Sequence, residues 1–100
     1  MTQLRIQLLG SPEFHYGGRP LSFRTRKVLA LLVYLLVEGG MHSRETLMAL
    51  LWPETESQKA AVTMQGTLSR LRQSLRPVGD ILVTEAGKVG LDLAARLIWT

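Results

Sequence analysis

A chain of 100 residues, 46% hydrophobic and 20% charged, is long enough for one domain with a modest core and too apolar to be disordered. The absence of cysteine excludes disulfides and thiolate metal sites and fits a reducing compartment. A net charge of +4 favours an anionic partner, although many small basic domains carry such a charge for solubility alone.

In chain order, the start "LRIQLL" alternates at Leu4, Ile6 and Leu8 and reads as a half-buried strand, too short and too regular for a signal peptide. Phe14 and Tyr16 share a face, Gly17-Gly18 supplies the positive φ angles of a tight turn, and Leu21 and Phe23 share a face beyond it. Three short antiparallel strands are expected. Thr25 is placed to cap a helix that runs to about Glu38 and ends at Gly39-Gly40. Its apolar residues cover most of its circumference, which predicts a central, buried helix. Its apolar run, Val28 to Val37, is 10 residues, whereas a bilayer span takes about 20. No membrane contact and a cytoplasmic location are expected.

Ser43 is a good N-cap for a second helix, with Glu45 at the positive end of its dipole. Leu47, Leu50 and Leu51 are expected to face inward, and Pro53 ends the helix at Trp52. A short link with Glu54 and Glu56 leads to "KAAVTMQGTLSRLRQSL", which carries no acid. There Ala61, Met64, Leu68, Leu71 and Leu75 recur at helical spacing and predict the buried stripe. Lys59, Thr63, Gly66, Arg70 and Gln73 then point away from it. Pro77 and Gly79 stop the helix, and "DILVTEAGKVGLDL" reads as a second hairpin turning at Glu85–Lys88. At the apolar end "RLIWT" a domain border is expected, with residues 1–100 expected to be the N-terminal module of a longer chain. The expected fold is one α+β domain: a three-stranded antiparallel sheet, three helices and a C-terminal β-hairpin wing, which is a winged helix-turn-helix.

"LRIQLLGSPEF", "RTRKVLALLVYLL", "SRETLMALLWPE", "LSRLRQSL" and "ILVTEAGKVGLDL" together resemble the OmpR-type winged helix. The version they resemble opens the Streptomyces antibiotic regulatory protein (SARP) and bacterial transcriptional activator domain family. The resemblance covers nearly the whole chain and rests most on "LLWPE" and "LSRLR" at this separation. It implies sequence-specific binding of double-stranded DNA in bacterial transcription, a helical repeat or ATPase domain C-terminal to this module, and binding as a dimer or in tandem on repeated sites. In the family's relatives the link between the second and third helices can touch RNA polymerase, and the resemblance implies that role for Glu54 and Glu56. The sequence departs from the family pattern at Thr63, Gln65 and Gly66, where the family has Asn, Arg and Gln. A glycine in mid-helix costs roughly 1 kcal/mol relative to alanine. Gly66 either admits close backbone approach to a ligand or marks relaxed selection on DNA reading.

The outer face of the third helix reads plainly as a solvated surface. Its freedom from acids, the short helix before it and the hairpin with Lys88 at its tip favour a DNA face instead, since a helix fits the major groove and phosphates attract cations. Arg44, in the first turn of the second helix beside Ser43, is placed to meet a phosphate there, or the end is simply capped by Ser43. Arg24, Arg26 and Lys27 are placed to face DNA or to solvate the start of the first helix, with solvation or an internal ion pair the favoured reading, and Arg72 reads as either an internal partner or a DNA contact. "EAGKVG" is no phosphate loop, because the pattern needs Gly at Leu82 and Ser or Thr at Val89. His15 and His42 have no second ligand at metal-binding spacing. No catalysis, metal or cofactor is expected. The alternative to DNA binding is a protein-interaction module that kept the winged helix and lost DNA reading.

Overall fold

A computed structural model describes residues 4–7, 13–92 and 97–99. In chain order the elements are β1 (Leu4–Gln7), β2 (Glu13–Tyr16), β3 (Arg19–Pro20), α1 (Arg26–Glu38), β4 (His42–Ser43), α2 (Arg44–Leu51), α3 (Ser57–Ser74), β5 (Leu82–Glu85), β6 (Lys88–Leu91) and β7 (Leu97–Trp99). The strands form two sheets, ordered β3-β2-β1-β7 and β4-β6-β5. All pairs are antiparallel except β1 with β7. Helix, short strand, two helices and hairpin follow one another as in a winged helix, so the α+β class is observed.

The layout of strands differs from the sequence expectation. The first sheet has four strands rather than three, because Leu97–Trp99 adds a parallel strand beside Leu4–Ile6. The third strand is Arg19–Pro20, not the Leu21–Phe23 stretch. The two-residue turn at Gly17 (φ 63°) and Gly18 (φ 78°) pairs Tyr16 directly with Arg19, so the ladder begins at once. Pro20 sits opposite His15, and the next ladder bond runs from Leu21 N–H to Phe14 O at 2.8 Å. Proline has no N–H to offer and is therefore confined to such an edge strand. The wing sheet also gains His42–Ser43 as a third strand.

The helices are held as their caps predict. Thr25 Oγ1 accepts from Val28 N–H at 3.2 Å, and Ser43 Oγ accepts from Thr46 N–H at 3.1 Å. At the far end of α1, Gly39 N–H closes on Leu35 O at 3.1 Å. The core gathers Val28, Leu31, Leu32, Leu35 and Leu36 of α1 with Leu47 and Leu51 of α2 and Met64, Leu68 and Leu71 of α3. Leu75, Val78, Ile81, Leu82 and Val89 extend it towards the wing, and Phe14 joins it from the first sheet, edge-on to Phe23 at 5.3 Å.

Three packing expectations are corrected. Helix α1 is buried along one face only, and Val37 is 61% exposed. Leu50 faces outward at 53% exposure, because an eight-residue α2 buries only the Leu47–Leu51 stripe, one turn apart. On α3 the first buried residue is Ala60, while Ala61 is exposed. Both are one turn from Met64, and Ala60 is the one on the side where Met48 and Trp52 lie.

The wing turns at Ala86 (φ 50°) and Gly87 (φ 76°), both positive as a type I′ turn requires. Alanine there is strained, whereas asparagine tolerates that conformation. Ala86→Asn is therefore expected to raise stability by about 0.5–1 kcal/mol in urea melts. Gly90 is a different case: a Cβ there would lie 2.7 Å from Gly40 O and against the Met41 sulfur. Gly90→Ala is expected to lower stability by roughly 1–3 kcal/mol in the same measurement.

Candidate nucleic-acid interface

Burial of Ala60, Met64, Thr67, Leu68 and Leu71 against the core fixes which side of α3 is outside. Lys59, Thr63, Arg70 and Gln73 are all exposed, and Gly66 is half-buried among them. Thr67 donates from Oγ1 to Thr63 O at 2.9 Å, so the one buried polar side chain of this helix is satisfied internally. No acid lies on α3, and the helix N-terminus at Glu56 has no side-chain cap. Glu54 and Glu56 are exposed in the link between α2 and α3.

Arg44 joins three elements. It opens α2, its backbone N–H donates to Gly87 O in the wing turn at 3.1 Å, and its Nη1 donates to Gln65 Oε1 on α3 at 3.1 Å. Its Nε is buried and has no hydrogen-bond partner among the described residues. Of the residues singled out in sequence, Arg44 is thus the one that contacts both α3 and the wing. Lys59 and Thr63 border one shallow depression with Gln58 and Val62. Arg70 lies over Gly66, with Nη1 3.6 Å from where a Cβ would stand. Lys88 opens β6 and is exposed, opposite Glu85 on one side and Ser43 on the other. Gln73 stands near the C-terminal end of α3 and makes no hydrogen bond with the residues above.

The other basic residues divide. Lys27 neither solvates the helix start nor joins an ion pair; its Nζ donates to Leu51 O. That places a cation on the negative end of the α2 dipole. Arg26 borders a groove of about 760 Å³ with Leu29, Val33, Tyr34, Val37 and Leu50. Arg24 and Arg72 are exposed. His42 packs edge-on to Tyr34 at 5.1 Å and its Nε2 meets Gly39 O at 2.6 Å, which fixes the loop after α1. Among the described residues no three His, Cys, Asp or Glu gather as a metal site, and no helix is long and apolar enough to cross a membrane.

Two residues of the outer face escaped the sequence reading. Val62 is 75% exposed, one turn before Gly66, and its phase relative to the apolar stripe would have placed it. The other is Gln65 in its contact with Arg44, since nothing local in the sequence shows that it binds a side chain 21 residues away.

No family model matches this chain, and no curated protein matches it. Among solved structures, Mycobacterium tuberculosis EmbR in complex with a low affinity phosphopeptide has the same fold, with a TM-score of 0.80 at 22% sequence identity. The match covers 97% of this chain and 27% of that one, so the chain spans about a quarter of EmbR's length.

Because Lys27 caps the last turn of α2, Lys27→Met is expected to lower stability by about 1 kcal/mol. Thermal unfolding of the two proteins, compared at low and high salt, checks it.

Proposed function

We propose that this chain is a DNA-binding winged-helix module of a bacterial transcription regulator, with α3 in the major groove and the β5–β6 wing beside it. The observation that carries this reading is the outer face of α3: it is acid-free and exposes Lys59, Thr63, Arg70 and Gln73 together. Arg44 supports it by bringing a guanidinium to the junction of that face with the wing. The fold shared with EmbR supports the likeness to the OmpR-type winged helices of the SARP family. Phosphate contacts come from Lys59, Arg44 and Lys88, and base contacts from Thr63, Arg70 and Gln73. The deciding test is fluorescence anisotropy against the regulator's own promoter duplex. Binding at low salt that weakens steeply as salt rises is expected, because phosphate contacts release counterions. No binding at low salt rejects the reading.

A second reading, a protein-interaction module, is favoured by one observation. The apolar groove along α1 has Arg26 at one end and Glu38 at the other. It would suit an apolar helix with an acid facing Arg26 and a base facing Glu38. Loss of a protein partner in Leu50→Lys, with DNA affinity absent in both proteins, would establish that reading in place of the first.

In the DNA reading the link between α2 and α3 faces away from the phosphates, since its carboxylates would be repelled by them. It is then free to meet RNA polymerase. Replacing Glu54 and Glu56 by Ala is expected to leave promoter affinity nearly unchanged and to lower transcription in a reconstituted assay. A sharp rise in affinity would place the link against the DNA backbone.

Arg70 and Lys88 have separable roles. A bidentate Arg–guanine contact is worth about 1–3 kcal/mol of discrimination, whereas a lysine on a phosphate adds affinity without sequence information. Arg70→Ala is expected to shrink the gap between specific and random DNA. Lys88→Ala should weaken both alike and reduce the salt slope by about one counterion. Titrations of both variants on both duplexes over a salt series check this, and equal losses for Arg70→Ala would put Arg70 on a phosphate.

A further inference from the structure

Among the described residues two glycines lie inside regular elements, and they differ. Gly90 in β6 is required by packing, since a Cβ there meets a backbone oxygen at 2.7 Å. Gly66 in α3 has no such reason. Its φ is ordinary, and an added Cβ would meet only Arg70 Nη1, at 3.6 Å, which is normal van der Waals contact. Mid-helix glycine is unfavourable by roughly 1 kcal/mol against alanine, so the fold alone would be better served by a side chain. What glycine does provide is a notch on the outer face. One turn towards the N-terminus stands Val62, 75% exposed and the most exposed large hydrophobic residue among those described. One turn towards the C-terminus, Arg70 lays its side chain back over the notch. Lys59 and Thr63 flank Val62 on the same side.

We propose that Val62 and the notch at Gly66, edged by the Arg70 guanidinium, form a seat for the 5-methyl group of a thymine in the major groove. The inference rests on the DNA-binding reading above and deepens it. Among the groups at the edges of base pairs in the major groove, the thymine methyl is the apolar one. Valine offers it apolar contact, and the missing side chain at position 66 lets the base edge approach the helix backbone. Arg70, whose guanidinium already lies at the notch, reaches from it to an adjacent guanine. Thymine next to guanine is thus the step this face reads.

The test uses the 100-residue chain and a duplex recovered from a random-sequence pool by binding to it. Each thymine of that duplex is replaced in turn by deoxyuridine, which removes only the methyl group. One position, beside a guanine, is expected to lose about fourfold in affinity, the worth of burying one methyl group. Val62→Ser is expected to bind the thymine duplex about fourfold more weakly and to be indifferent to uracil at that position. Gly66→Ala should melt at a higher temperature than the parent yet bind the selected duplex more weakly. If the parent binds the duplex specifically but no uracil costs more than twofold, the seat is rejected while DNA binding stands. If Val62→Ser remains as sensitive to uracil as the parent, the seat is likewise rejected. If no duplex is enriched from the pool at all, the DNA reading itself fails, and the seat with it.

Discussion

Burial of the Met64–Leu68–Leu71 stripe against α1 is the constraint on which the rest depends. A helix has one rotational setting once such a stripe is buried, and every outward residue is then assigned. Leu31, Leu32 and Leu35 of α1 are each at most 2% exposed and provide the other half of that contact. The wing is tied to the same frame through Leu82 and Val89, both buried in the common core. The basic face is therefore a by-product of apolar packing. No hydrogen bond is needed to orient Lys59, Thr63 or Arg70, since the leucines behind them do so.

Electrostatic and polar contacts act at the joints between these packed elements. Lys27 reaches from the start of α1 to the end of α2, and Arg44 from the start of α2 to α3 and the wing turn. Lys27 meets the carbonyl end of α2, where the dipole favours a cation, whereas at the other end Arg44 satisfies an open backbone N–H with Gly87 O and reaches α3 through Gln65. The two cations thus fix α2 at both ends. This matters for the short helix, since eight residues are too few to be stable without tertiary contacts.

The parts legible in the sequence were those set by local rules. Thr25 and Ser43 announced the two helix starts, Gly17-Gly18 and Ala86-Gly87 the two turns, and the leucine spacing the phase of α3. The parts that were not legible are set by distant partners. Two-residue β4 and three-residue β7 exist only because β6 and β1 offer them an edge, and neither has a periodicity of its own. Leu50 and Val37 read as core because they are apolar and near the right phase, yet both are more than half exposed. The candidate interface was legible for Lys59, Thr63, Gly66, Arg70 and Gln73, which follow from helical phase. It was not for the Arg44–Gln65 bond, which joins residues 21 apart through side chains alone.

The parallel pairing of β1 with β7 has a consequence for the order of assembly. A strand near the start of the chain is flanked on one side by β2, only a few residues on, and on the other by Leu97–Trp99. During synthesis from the N-terminus, β1 and β2 can pair early, and the helices and wing can pack as they emerge, but the outer edge of β1 stays open until Leu97–Trp99 has been made. An open edge is a template for another chain. Closing it takes a segment some 90 residues away in sequence, the most distant strand pairing among the described residues. Protection of that edge therefore depends on a segment at the opposite end of the described fold.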